Sequence, residues 1–172
     1  RVNLFARKLA CRAGAFCAHR RAAYLADDDV VFAGPADRGF RCVAHGTRAG
    51  ALVAGFIALE HLVPVMPLRT LDAEFLIGNW RRDETSRIRI DGAGLQGLRA
   101  DGVGTWKGPA TINEGGFRVE FRPGIEPAVV LRDGGCAVTI ERRGPYLLAN
   151  DNARCGGNNV RFVGIYIRRF LR

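Results

Sequence analysis

The clearest alternation of apolar and polar positions runs from Cys136 to Glu141. Cys136, Val138 and Ile140 fall on one face, and Ala137, Thr139 and Glu141 on the other. A period of two is the mark of a half-buried strand. Arg143-Gly144-Pro145 ends it, because Gly supplies unusual backbone angles and Pro removes a ladder donor. Tyr146 to Ala149 reads as a returning strand and Asn150 to Asn159 as a turn-rich loop. Val160 to Arg169 reads as a third strand, dense in β-branched and aromatic residues. The same reading upstream gives strands over Arg87 to Asp91, Leu95 to Ala100, Gly104 to Lys107, Gly116 to Arg122 and Ala128 to Arg132. The turn signals Asp91-Gly92, Asp101-Gly102, Pro123-Gly124 and Asp133-Gly134-Gly135 separate them. Phe117, Val119 and Phe121 are expected inward, with Arg118, Glu120 and Arg122 in solvent. About eight short strands at regular spacing predict an antiparallel barrel or sandwich over 69–172.

The first part of the chain, 1–68, reads as a second all-β domain preceded by an arm. Arg1 to Arg21 is irregular, entering a strand around Ala15 to His19; a short helix over Asn3 to Cys11 is the alternative. Asp28 to Gly34 reads as turn then strand, and Pro35 to Arg38 as a turn. Gly39 to Ala44 and Ala51 to Ile57 are further strands, and Ala58 to Leu62 is a single helical turn. Met66 to Thr70 is a linker. Leu71 to Phe75 forms a helical turn ahead of Gly78-Asn79-Trp80.

Two stretches carry a resemblance. The run Gly55-Phe56-Ile57-Ala58-Leu59-Glu60-His61-Leu62-Val63-Pro64, closing the strands from about residue 15 to residue 66, resembles the end of bacterial SH3-like domains. In those, Trp is usual where Phe56 stands. The resemblance implies an SH3-like barrel with Phe56 in an aromatic ligand groove. Such domains often bind cell-wall peptides or dock to a partner. The cysteine strand followed by RRGPYLLANDNARCGGNNVRFVGIYIRR is similar to the C-terminal end of small secreted bacterial domains. Those are disulfide-stapled antiparallel barrels, loosely similar to lipocalin-like and lysozyme-inhibitor-like folds. This resemblance reaches back to Gly78-Asn79-Trp80.

Charge and cysteine content narrow the picture. The formal net charge is +9. Nine basic and five acidic residues lie in 1–68, and seventeen and twelve in 69–172, so the charge belongs to both halves. Lys8 and Lys107 are the only lysines. A basic surface attracts polyanions. No apolar run reaches the length of a membrane span. Of five cysteines, Cys136 and Cys155 are placed by a hairpin to form a disulfide, given an oxidising compartment. Cys42 is expected to pair with Cys17 or with Cys11 as a second bridge. The competing arrangement is a zinc site from Cys17-x-His19 and Cys42-x-x-His45, in which Cys42 and His45 need a strand irregularity to converge.

Gly92-Ala93-Gly94-Leu95-Gln96-Gly97 matches a dinucleotide fingerprint in spelling, but strands follow it where a helix should. Ser86 is the only serine and lacks a nucleophile elbow. The candidate binding residues are Phe56, Trp80, Arg81, Arg82, Arg142, Arg143 and Tyr166; the pairs Arg81-Arg82, Arg142-Arg143 and Arg168-Arg169, with Trp80, Phe162 and Tyr166 nearby, form a basic and aromatic set suited to single-stranded nucleic acid. The sequence therefore predicts a non-catalytic binding protein of the bacterial envelope, periplasmic or secreted after loss of a signal peptide, without cofactor or metal. Its expected ligand is a cell-wall fragment, a peptide or a partner protein. A nucleic-acid-binding small barrel and a lysozyme-inhibitor-like protein are the alternatives.

Overall fold

The computed structural model describes residues 2–5, 20–26, 29–47, 52–66, 69–95 and 97–169. The protein is all-β, and it separates into two compact units, Arg1–Met66 and Pro67–Arg172.

The first unit is a five-stranded sheet: β1 (Val2–Phe5), β2 (Arg20–Leu25), β3 (Phe32–Asp37), β4 (Phe40–Gly46) and β5 (Leu52–Ala58), in the order β2-β1-β5-β4-β3. The first segment is thus a strand where the sequence left an arm or a helix. The expected strand at Ala15 to His19 lies outside the described residues. Pro35 falls inside β3, and the turn comes later, at Arg38-Gly39, where both residues have positive φ. The two faces of the sheet bury different groups. Leu25, Val43 and Ile57 pack on one, and Phe40 and Ala58, joined by half-buried Phe56, on the other. A short 3-10 turn over Leu59–His61 follows β5.

The second unit is a nearly closed antiparallel barrel. Its strands are β6 (Gly78–Arg81), β7 (Ser86–Gly92), β8 (Leu98–Lys107), β9 (Ile112–Phe121), β10 (Ala128–Asp133), β11 (Cys136–Arg143), β12 (Tyr146–Asp151) and β13 (Gly164–Arg169). They pair in the order β10-β11-β12-β13-β6-β7-β8-β9. The open seam lies between β9 and β10, whose connection carries Pro123 and Pro127, residues without a ladder donor. A polar tie crosses it: the Arg118 amide donates to Asp133 Oδ2 at 2.8 Å.

Alternation along each strand fills the barrel interior. Trp80, Ile88, Ile90, Leu98, Ala100, Phe117, Leu131, Val138, Ile140, Leu147 and Tyr166 form one core. β8 runs straight through Asp101-Gly102, which the sequence marks as a turn. Gly102 lies opposite Phe117 on β9, and the Phe117 ring covers it so closely that a Cβ would sit 2.1 Å from a ring carbon. Tertiary packing here overrides the local turn signal.

Both barrel ends are plugged. At one end, α1 (Ala73–Leu76) is capped by Asp72, whose Oδ1 accepts from the Phe75 amide at 2.7 Å. It delivers Phe75 and Leu76 to the core. At the other end, the loop between β12 and β13 inserts Cys155, Val160 and Phe162. Only Phe162's neighbours from residue 164 onward join the ladder as β13.

Candidate functional site

Because the interior is filled, the surfaces open to contact are the barrel's ends and outer face. The disulfide explains how the far end is held. Cys136 opens β11, Cys155 lies in the plugging loop, and they are bonded with Cα atoms 4.4 Å apart. Asp151, whose side chain is wholly buried, ties the same loop. It accepts from Ala153 N at 2.7 Å, from Arg161 Nε at 2.8 Å and from the Phe162 amide. Gly115 is required where the loop crosses β9, since a Cβ there would lie 2.2 Å from the Cys155 carbonyl oxygen.

The aromatic members of the expected surface set are core residues. Trp80 is 1% exposed and Tyr166 0% exposed. Trp80 Nε1 donates to the Leu76 carbonyl at 2.8 Å, and its ring meets Phe75 at 5.0 Å between centroids. The Tyr166 hydroxyl pairs with Ser86 Oγ at 2.7 Å and donates to the Phe162 carbonyl at 3.0 Å. Burial pushes the Tyr166 hydroxyl up to about 12, with the Ser86 bond acting against it. Both rings point inward, Trp80 alternating with outward Asn79 and Arg81 and Tyr166 with Ile165 and Ile167, so neither offers a stacking face to a ligand. Ser86, 2% exposed, is committed to this bond.

The arginines divide by role. Arg82 clamps the plugging loop, its Nη1 donating to the carbonyls of Arg161 at 2.8 Å and Val163 at 2.9 Å. Its neighbour Asp83 is driven up by partial burial but pulled further down by bonds from Thr85 and Arg82, so its carboxyl sits below the ordinary value. Arg142 clamps the α1 end: its guanidinium lies 4.1 Å over the Phe75 ring and its Nη1 donates to Asp72 Oδ2 at 3.0 Å. Arg143 pairs with Glu141 at 3.1 Å. Arg81 donates from Nε to the Asp83 carbonyl at 2.5 Å. Arg81 ends β6 and Arg82 follows it, whereas Arg142-Arg143 end β11, with β12 and β13 between the two strands, so the pairs do not form one site.

In the first unit, Cys42 is a free, exposed thiol. The expected Cys17–Cys42 bridge is therefore not formed; Cys17, Cys11 and His19 lie outside the described residues. Cys42 and His45 are three apart on an unbroken β4, so they project from opposite faces and cannot share a metal. His45 instead sets Nδ1 3.2 Å from the Val30 carbonyl and Nε2 3.7 Å from Asp29 Oδ2. Phe56 lies across from Cys42 in the β4–β5 register, packed with Phe40 and Ala58. A pocket of about 360 Å³ lies beside Leu25, Val31, Ile57 and Leu62, with Asp29 and His61 also in its lining.

A further surface feature of the barrel sits at its α1 end. An open depression of about 540 Å³ is lined by Ala73 and Ile77 of the helical segment, Gly92, Gly94, Leu95 and Gly97 of the β7–β8 turn, Leu98, Arg122 and Pro123. The glycine run thus acts as a tight turn, closed by Ala93 N to Gly97 O at 2.9 Å and Gly97 N to Gly94 O at 2.6 Å. It opens β8 rather than a helix, which removes the nucleotide reading. Leu95 is 97% exposed and Ile77 43% exposed. Arg122 is exposed at the rim and makes no ion pair among the described residues. Sequence reasoning missed this site. Its one legible signal is Leu95, an apolar side chain in a turn whose composition is otherwise small and polar.

Among the described residues no group of three or more His, Cys, Asp or Glu side chains could hold a metal ion. No described helix is long and apolar enough to cross a membrane. Comparison with known protein families, with curated proteins and with solved structures finds no match to this chain.

Proposed function

We propose that this chain is a non-catalytic binding protein of the bacterial envelope, periplasmic or secreted, and that its barrel captures a short apolar peptide segment ending in a carboxylate. The observation that carries the reading is the depression at the α1 end. Its volume falls in the range of ligand sites, its lining is apolar, and it has a single cation at the rim. An apolar side chain of the ligand sits among Ile77, Leu95 and Leu98, and the carboxylate meets Arg122, whose planar fork matches it. The Cys136–Cys155 bond fits an oxidising compartment. The likeness of residues 15–66 to SH3-like domains, which often bind cell-wall peptides, supports the same ligand class.

Calorimetric titration with a panel of peptides ending in Leu, Ile or Ala, including cell-wall stem peptides, tests this. Saturable binding is expected, weakened about tenfold by Arg122→Gln through loss of a charged hydrogen bond. Ile77→Asp is expected to abolish it without lowering Tm, because Ile77 is part-exposed. Absence of binding across the panel, or unchanged affinity in both variants, would overturn the proposal.

A further inference from the structure

The barrel's outer face carries an organised charge pattern over part of its area. On β7, β8 and β9 three arginines are matched by carboxylates: Arg89 with Asp91 at 2.7 Å, Arg99 with Glu120 at 2.8 Å, and Arg118 with Asp101. On the adjoining β13–β6–β7 portion they are not. Arg81 on β6 lies directly opposite Arg87 on β7, a like-charge pair that destabilises a sheet. On the other side of β6, Arg169 of β13 lies opposite Asn79 and is diagonal to Arg81, a separation of ~7–8 Å in such a ladder. None of the three makes an ion pair with a carboxylate among the described residues, and Arg81 spends only its Nε, on a backbone carbonyl. Three guanidinium groups are thus held together by strand register, with their charge unbalanced.

We propose that this face binds a linear phosphodiester polymer of the cell surface, recognised through successive phosphates. Guanidinium groups bind phosphate with two parallel donors, and the stagger of Arg87, Arg81 and Arg169 presents them in sequence along a line crossing three strands. The aromatic residues of these strands, Trp80 and Tyr166, point inward, so the face has no platform on which nucleobases could stack. Ile167, opposite Arg81, is 8% exposed, and the exposed apolar neighbour opposite Arg87 is the short side chain of Val103, so the face offers no large apolar side chain to enter a bilayer. A charged chain laid across the convex sheet is what remains. This choice rests on the extracytoplasmic part of the proposed function, but not on the peptide site, whose residues lie at the α1 end.

The test uses the full chain and three probes at equal phosphate concentration: poly(glycerol phosphate), an oligo-dT of matched charge, and phosphatidylglycerol vesicles. The variant is the triple Arg81→Gln, Arg87→Gln, Arg169→Gln. The control removes equal charge elsewhere, by Lys107→Gln, Arg132→Gln and Arg154→Gln. Binding to poly(glycerol phosphate) is expected to weaken with salt, and the triple variant to lose about tenfold or more and to flatten the salt slope by roughly one per arginine lost. The control is expected to lose less than the triple variant by a clear margin. The inference is overturned if poly(glycerol phosphate) does not bind at low salt, if oligo-dT or vesicles bind more tightly, or if both triples lose affinity equally. Peptide affinity measured on the same variants separates this outcome from failure of the peptide site.

Discussion

Tyr166 shows at the scale of one residue how the barrel spends its few buried polar groups. Its hydroxyl is enclosed with Ser86 and the Phe162 carbonyl, and burial holds its ionisation at about 12 against an ordinary 10.0. A folded value raised above the unfolded one favours the protonated form in the fold. Its stabilising contribution is therefore complete below pH 10.0 and is lost as pH rises toward about 12. Tyr166→Phe is expected to cost about 1–2 kcal/mol at neutral pH, by leaving Ser86 and the Phe162 carbonyl short of a partner. It is also expected to flatten the fall in stability between those two pH values. Denaturant unfolding of both proteins across the alkaline range checks this; an equally steep fall in the variant would show that other groups control it. At the acid side, Asp83, held below its ordinary value by Thr85 and Arg82, contributes stability that is lost only as pH falls below the usual carboxylate range. The residue scale is also where sequence reading went furthest astray. Trp80 adjoins Arg81, and Tyr166 lies two positions before Arg168, so both look like part of a surface, but period-two alternation turns their rings into the core.

At the scale of elements, the plugging loop between β12 and β13 is the part that needs covalent help. It has no ladder of its own, and it is held by the Cys136–Cys155 bond, Asp151 and the crossing at Gly115. Replacing both cysteines by serine is expected to lower stability by roughly 3 kcal/mol in the loop-entropy model. Unfolding midpoints of the variant should match those of the reduced parent; a loss near zero would mean that Asp151 and packing suffice. Gly115→Ala, with no room before the Cys155 carbonyl, is expected to be destabilised by about 1–3 kcal/mol, as for overpacking of a filled core. Much of this element layer was legible beforehand. The faces of Cys136–Ile140, the inward Phe117 and the pairing of Cys136 with Cys155 follow from alternation and hairpin spacing. Local signals failed where a distant side chain decides the outcome. The Phe117 ring completes β8 over Gly102, and Val160 and Phe162 read as strand but serve as the plug. The β6 strand, at four residues, is too short to announce itself.

At the scale of the whole molecule, the barrel's filled interior leaves its ends and outer face open to a ligand, and the site we propose is the depression at the α1 end. That site unites the α1 segment, the β7–β8 turn and the start of the β9–β10 connection, three segments remote in sequence, so no motif marks it. The most direct test is backbone amide NMR of the disulfide-bonded protein during titration with a tight-binding peptide from the panel. The account predicts saturating shifts concentrated at Ala73, Ile77, Gly92 to Gly97, Leu98 and Arg122, with the β12–β13 loop unmoved. Saturating shifts centred elsewhere, or none at this end of the barrel, would contradict it.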